Sequence, residues 1–270
     1  MFISRCLYYL SSLTTLAFGV KNWHRIMIRL IARRLPFIVE LSEGHRFWAR
    51  SLMDIWIIKE TCLDRDYERH GTRIEDDWIV IDIGAGLGDF AVSVAREHPT
   101  SLVYAYEPFL DSFDLLQGNI ALNQASNVRS FPYAIGANSG VMHLDTTTGI
   151  AVQHSTAKAL ASLEARSPIQ VASRSLDAVF EEEQLSHCDF LKVDCEGGEY
   201  DIFFRASDVT LSKITHICLE YHDGVTQYAH DDLMVFFERK GFSVQVHPNP
   251  VHHHLGFLYA SRSSSRRAIK

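Results

Sequence analysis

The sequence has five cysteines, Cys6, Cys62, Cys188, Cys195 and Cys218, and no two of them form a CxxC pair. An odd, scattered set argues against a disulfide framework and a zinc site, and fits a reducing, cytoplasmic compartment. Positive charge is also short: 26 Lys and Arg face 33 Asp and Glu, for a formal net charge of -7. Nucleic-acid binding, which favours a basic surface, is therefore not expected. Long apolar runs are missing too. Cys6 to Val20 is shorter than the ~20 residues a spanning helix needs, and Arg5 and Lys21 bound it. With no convincing small-x-small cleavage site before Lys21, this stretch reads as part of the mature chain. No repeat or low-complexity tract precedes the Ser/Arg-rich tail, Ser261 to Lys270, which is expected to be disordered.

What is present is an ordinary globular composition, 47% hydrophobic and 22% charged over 270 residues, enough for one large domain. Charge is unevenly spread. Residues 1–50 hold eight Lys or Arg against only Glu40 and Glu43. Lys21, Arg25, Arg29 and Arg33 recur every four residues, which forms one stripe of a helix, with Trp23, Ile26, Met27, Leu30 and Ile31 on much of the remaining surface. Two readings stay open: a packed helix with a solvated basic edge, or an interfacial helix at the membrane periphery, resting on anionic lipid. Residues 1–35 are thus expected to form a basic helical extension, 36–260 the main domain and 261–270 the tail.

PFIVEL, Ser42-Glu43-Gly44 and HRFWAR read as strand, turn and strand, and Asp54 to Tyr67 as a helix that ends before Gly71. Strands then alternate with helices: Trp78 to Ile83, Phe90 to Glu97, Leu102 to Tyr106, Asp111 to Asn123 and Val128 to Ile135. Phe190 to Val193 and Ile214 to Leu219 supply two more strands, and a helix spans Asp231 to Lys240. FSVQV and GFLYA follow with only a loop between them, so they must be antiparallel. The expectation is an α/β fold whose mostly parallel, Rossmann-like, seven-stranded sheet ends in a C-terminal antiparallel hairpin.

Asp82-Ile-Gly84-Ala-Gly86-Leu-Gly88 sits where a strand turns into a helix, and its glycines let backbone approach a ligand. Dinucleotide folds want G-x-G-x-x-G; here the spacing is G-x-G-x-G, with Asp89 where their third glycine would stand. Asp82 would repel a pyrophosphate but suits a ligand bearing an ammonium group. Glu107, ending the strand in VYAYEP, can accept hydrogen bonds from two ribose hydroxyls. Asp189-Phe-Leu-Lys192-Val-Asp194-Cys-Glu196-Gly197-Gly198-Glu199 delivers three carboxylates to a strand mouth, and Glu220-Tyr221-His222 ends the next strand. Cys195 reads as a small buried filler. Adjacent strand residues point to opposite faces, so His252-His253-His254 reads as a polar loop rather than a metal site.

In this order, DIGAGLGDFA, YAYEPF with Asn119, Tyr133-Ala-Ile-Gly136, Ser175-Leu-Asp177, LKVDCEGGEYDIF and CLEYH resemble the FkbM-like methyltransferases over residues 36–260. The resemblance implies the class I methyltransferase fold, S-adenosyl-L-methionine as cofactor, and O-methylation of a small-molecule, glycan or lipid hydroxyl. By motif, Asp82, Gly84, Ala85, Gly86, Gly88, Glu107, Pro108, Asn119 and Ala134 fall on the cofactor side. Asp194, Glu196 and His222 fall at the reaction centre, and Glu199 and Glu220 on the substrate side. Cys195 departs from the family, which more often has an aliphatic residue there. No single base carries over: Asp194 or His222 is expected to take the hydroxyl proton without a metal, although the same carboxylates could hold a divalent cation. A NAD-dependent oxidoreductase and a non-catalytic scaffold on the same fold remain alternatives. Thr146 to Ser167, poor in large apolar residues, is expected to be a mobile lid or substrate-recognition segment.

Overall fold

A computed structural model describes residues 2–144 and 169–262. Two helices, α1 (Phe2–Gly19) and α2 (Trp23–Ile31), precede an antiparallel pair, β1 (Phe37–Glu40) and β2 (Arg46–Ala49). The basic stripe is longer than its helix. Lys21 lies before the Asn22 N-cap, and Arg33 lies past the Ala32 C-cap with a left-handed backbone, so only Arg25 and Arg29 ride on α2. α3 (Leu52–Ile58) starts where the Ser51 hydroxyl accepts the Asp54 N–H, two residues earlier than expected. It runs into a π-helical turn over Lys59–Leu63 and stops there, short of Tyr67. That turn buries Lys59, which donates to Ser12 of α1 at 2.8 Å and pairs with Asp64.

β3 (Ile79–Ile83), α4 (Asp89–Glu97), β4 (Leu102–Tyr106), α5 (Leu110–Asn123) and β5 (Val128–Phe131) follow the expected alternation. The single strand expected over Val128 to Ile135 is two strands in different sheets. Pro132 has no N–H for the ladder and ends β5. β6 (Ala134–Gly136) then joins β7 (Gly140–Leu144) and β8 (Ile169–Ser175) in a separate sheet of order β6-β8-β7. The expected lid, Thr146 to Ser167, lies outside the described residues. α6 (Leu176–Glu182), β9 (Cys188–Val193), α7 (Glu199–Arg205), α8 (Asp208–Ser212), β10 (Ile214–His222), α9 (His230–Arg239), β11 (Ser243–Pro248) and β12 (Leu255–Ser261) complete the chain. Ser261 still belongs to β12, so the expected tail begins too early; residues 263–270 lie outside the described residues.

The main sheet has the order β11-β12-β10-β9-β3-β4-β5. β10, β9, β3, β4 and β5 are parallel, while β12 runs antiparallel between β10 and β11. This is the expected seven-stranded sheet, with the last strand inserted inside the hairpin's first. Alternation along β3 sends Ile81 and Ile83 into the core under α6, α7 and α9, and Val80 into the core beside Phe90 and Ala91 of α4. A third cluster joins Leu16, Ile26, Phe37, Phe47 and Ile58 to Leu87 and Val92, which fastens the N-terminal elements to the glycine-rich turn.

Two asparagines one helical turn apart on α5 hold the free edge of β2. Asn123 bonds both the N–H and the carbonyl of Arg46. Asn119 accepts from Trp48 N at 2.6 Å and donates to the Leu87 carbonyl at 2.8 Å. Asn119 is therefore a buried clamp between β2 and the turn after β3, and not part of a ligand wall. Asn119→Ala should lower unfolding free energy by about 2–4 kcal/mol, because it leaves buried backbone groups unpaired. Urea denaturation measures this, and a loss within error of zero would show that the clamp is not needed.

Candidate active site

The turn from β3 to α4 is fixed from three sides. Gly84 and Ala85 both donate their N–H to the Tyr106 carbonyl at 3.0 Å. Lys192 of β9 donates to the Gly84 carbonyl at 2.7 Å, and Asp194 N donates to the Ile83 carbonyl at 3.0 Å. A Cβ on Gly84 would lie 1.8 Å from the Asp194 carbonyl oxygen, so this glycine is required by the close approach of two backbones. Gly86 differs. Its φ is +54°, and a Cβ there meets no protein atom within 4 Å. Glu107 binds the turn from β4, accepting from Gly86 N at 2.8 Å and from Phe109 N at 2.9 Å. Burial pushes its carboxyl up to about 7, against those two backbone bonds.

These elements enclose a cleft of about 870 Å³, including its open mouth. Gly84, Ala85, Gly86, Glu107, Pro108, Ala134, Asp194 and Glu196 all line it, so eight expected site residues converge. Asp82 does not reach the cleft: it is fully buried and pairs with the Lys192 ammonium at 2.9 Å. The ammonium it was expected to meet is the chain's own. Burial works against that ammonium, but Asp82, Asp194 and Asp89 outweigh it and keep Lys192 charged. Gly88 N-caps α4 and packs on Leu116, where a Cβ would come within 2.4 Å.

Behind the cleft lies a histidine surrounded by acids. His222 Nδ1 is 3.2 Å from Glu199 Oε1, and its Nε2 is 3.3 Å from Glu196 Oε2. Burial opposes its charge, but Glu199, Glu220 and Glu196 outweigh burial and hold the imidazole protonated well above its ordinary range. Both nitrogens then act as donors, so His222 is not free to accept a proton, contrary to its expected role as base. Glu199 also turns away from the expected substrate side. Fully buried, it accepts from Cys195 N and Gly197 N and closes its own loop. Glu220 stands beside Asp194 and His222, where burial and then Asp194 push its carboxyl well up. Asp194, Glu220 and His222 each place one ligating atom within 4.8 Å of the others, a donor set able to hold a metal ion.

Glu196, with a left-handed backbone (φ 53°), is left on the cleft wall. Burial first, then Asp194 and Glu199, push its carboxyl up to about 7 against the pull of His222. Tyr67 was not foreseen. It lines the cleft, donates to Asp194 Oδ2 at 2.8 Å and lies under the Lys192 ammonium, 5.0 Å from its ring centre. Ile57, Met142 and Leu144 add apolar wall. No local pattern marks these four residues. Cys195 is half-buried and lines the cleft, so it is not the buried filler expected; burial still holds its thiol well above the usual range. His252, His253 and His254 are exposed in the loop between β11 and β12.

The Gly86 amide, the donor a pyrophosphate would need, is already bonded to a carboxylate. A mostly parallel sheet of this order, a G-x-G-x-G turn after β3 and an acidic residue ending β4 together define a Rossmann-like, class I S-adenosylmethionine-dependent methyltransferase. Residues 82–244 match the Methyltransferase FkbM domain, and the chain belongs to that family. It is 27% identical over 230 residues to Methyltransferase 1 of Beauveria bassiana, covering 77% of this chain and 90% of that one. It is 22% identical to 31-O-demethyl-FK506 methyltransferase FkbM of Streptomyces tacrolimicus, covering 73% and 84%. AMB antimetabolite synthetase AmbE of Pseudomonas aeruginosa is 28% identical over 244 residues; the match takes 77% of this chain but only 12% of that much longer protein. Methyltransferase FkbM of Methylobacillus flagellatus shares the fold, with a TM-score of 0.50 at 15% identity over 72% of this chain and 46% of that one.

The two glycines should respond differently to one methyl group. Gly84→Ala should fail to yield folded protein, because backbone atoms cannot make way. Gly86→Ala should fold and bind S-adenosylmethionine about tenfold more weakly or worse, because the methyl enters ligand space. Calorimetry decides, and wild-type affinity in Gly86→Ala would move the cofactor elsewhere.

Proposed function

We propose that the enzyme methylates a hydroxyl oxygen on a sugar, glycan, lipid or similar metabolite, and that Glu196 takes the hydroxyl proton. One observation carries this reading: a carboxyl on the cleft wall pushed up to about 7, where it can change protonation near neutral pH. A neutral amine would need no such base, whereas a hydroxyl does. The Streptomyces relative is named for an O-methyl position, which adds support from outside the chain.

When bound, S-adenosylmethionine supplies a methyl carbon made electrophilic by the sulfonium, and the carbon–sulfur electron pair leaves with sulfur. Glu107 would accept the ribose hydroxyls on the lone pairs that its two backbone bonds leave free. Gly84, Ala85, Gly86, Pro108 and Ala134 would shape the rest of that subsite. Asp194, held by Tyr67, would orient the acceptor hydroxyl, and Glu196 would accept its proton as the new carbon–oxygen bond forms. His222 is a positioning residue: its two nitrogens lie between Glu196 and Glu199 and would hold both carboxylates in place. Because that imidazolium supplies the local positive charge, the reading needs no metal.

The reading makes residues 1–35 an extension of a catalytic domain spanning 36–260. It places the enzyme in the cytoplasm, with its N-terminal basic helix at the membrane periphery. Cys62, Cys188, Cys195 and Cys218 are free thiols, and no helix among the described residues is long and apolar enough to cross a membrane.

Turnover should rise about tenfold per pH unit below about 7 and level off above, as Glu196 ionises. Glu196→Gln should lower kcat by about 100-fold or more, flatten that rise and leave cofactor affinity near wild type. EDTA should leave wild-type turnover unchanged. Full activity in Glu196→Gln would remove it from the reaction, and EDTA loss restored by magnesium would replace the base with a metal.

A further inference from the structure

Half of the exposed large apolar side chains among the described residues, eight of sixteen, fall between Tyr9 and Leu35. Phe18 is 84% exposed, Ile31 79% and Ile28 64%, and Leu10, Leu13 and Leu35 are each more than half exposed. A soluble surface carries single apolar residues routinely, but a run of this density marks a surface that meets something.

α2 has three sectors. Ile26 is fully buried and Trp23 and Leu30 half-buried, which accounts for its packing face. At 100° per residue, Met27, Ile28 and Ile31 project from a different side, and all three are exposed. Arg25 and Arg29 occupy the next sector. Arg25 pairs with Glu40 at 3.7 Å, while Arg29, Arg33, Arg34 and Lys21 have no ion-pair partner among the described residues.

The helix is held firmly from behind. Trp23 Nε1 donates to the Leu16 carbonyl at 3.0 Å, Asn22 donates to the Ile38 carbonyl at 2.8 Å, and Asn22 Oδ1 accepts from Glu40 N. Its bare apolar face is therefore fixed in orientation by the fold. A rigid apolar sector flanked by unpaired arginines, on a chain whose net charge is -7, matches a surface that is apolar inside and anionic at its boundary.

We propose that α2, with the exposed side chains of α1 and the Arg33–Leu35 turn, is a monotopic docking surface for an anionic lipid bilayer. Met27, Ile28 and Ile31 enter the headgroup boundary, while Arg29, Arg33 and Arg34 meet lipid phosphates. This rests on the membrane-peripheral reading above and is independent of the base assignment. None of these residues lines the cleft, so docking would leave the cofactor subsite open.

Full-length protein should co-sediment at low salt with vesicles of phosphatidylcholine and phosphatidylglycerol, and be released by about 1 M salt. Vesicles of phosphatidylcholine alone should hold far less. Ile28→Glu with Ile31→Glu should lower partitioning by about tenfold or more, with unchanged cofactor affinity and thermal midpoint. Arg29→Ala with Arg33→Ala should cost about tenfold or more on the anionic vesicles only. No binding to mixed vesicles at low salt, or wild-type binding by the double glutamate variant, would overturn the proposal. So would a solution dimer that the double glutamate variant turns into monomer, since a second copy would then cover the face. Because cofactor affinity and turnover are read separately, failure here leaves the methyltransfer reading standing, and failure of that reading leaves partitioning unchanged.

Discussion

The Lys192 ammonium lies 2.9 Å from Asp82 Oδ1 and donates to the Gly84 carbonyl at 2.7 Å, and these contacts fasten the mouths of β3 and β9 together. Asp82 and Lys192 are register partners on adjacent parallel strands, and both are buried. Breaking a buried pair at one partner costs about 3–5 kcal/mol, so neither residue can vary alone. The pair also sets geometry. With β3 and β9 drawn together, the Asp194 carbonyl approaches Gly84 so closely that only glycine fits. Asp194 and Glu196 then leave β9 on the same side as the glycine turn, and Glu107 reaches that turn from β4. Cofactor side and reaction side are thus aligned by one ion pair, whose Lys192 end also reaches the cleft wall.

The order of strands, the glycine turn and Glu107 were legible because each has a local signature. A β-rich run into G-x-G-x-G can only be a strand entering a helix, and an acid at the next strand end lies beside it in a parallel sheet. Residues whose role depends on distant partners were not legible. Asp82 reads as a ligand carboxylate until its register with Lys192 is known. His222 reads as a base until Glu196 and Glu199 are found on its two nitrogens. Asn119 belongs to a family motif, yet its bonds go to Trp48 and Leu87, which no spacing rule connects. Pro132 was visible throughout, but the sheet that β6 joins depends on β7 and β8, which lack a clean alternating pattern.

Acidity at the cleft has two opposed effects. Burial pushes Glu107 and Glu196 up to about 7 and Asp89 up to about 6. Their folded values lie above the unfolded ones. The stability they contribute is therefore full below the unfolded value and is lost as pH rises through about 6 to 7. Without ligand, the protein gives up stability as these groups ionise, because Lys192 and His222 offset only part of the cost of burying their charge. A sulfonium that also carries an ammonium enters as a cation and relieves it. Methyl transfer removes the charge from sulfur, so the same acidic wall attracts the product less strongly than the substrate. The carboxylates that weaken the empty fold near neutral pH thus favour cofactor entry, and they work against retention of the demethylated product.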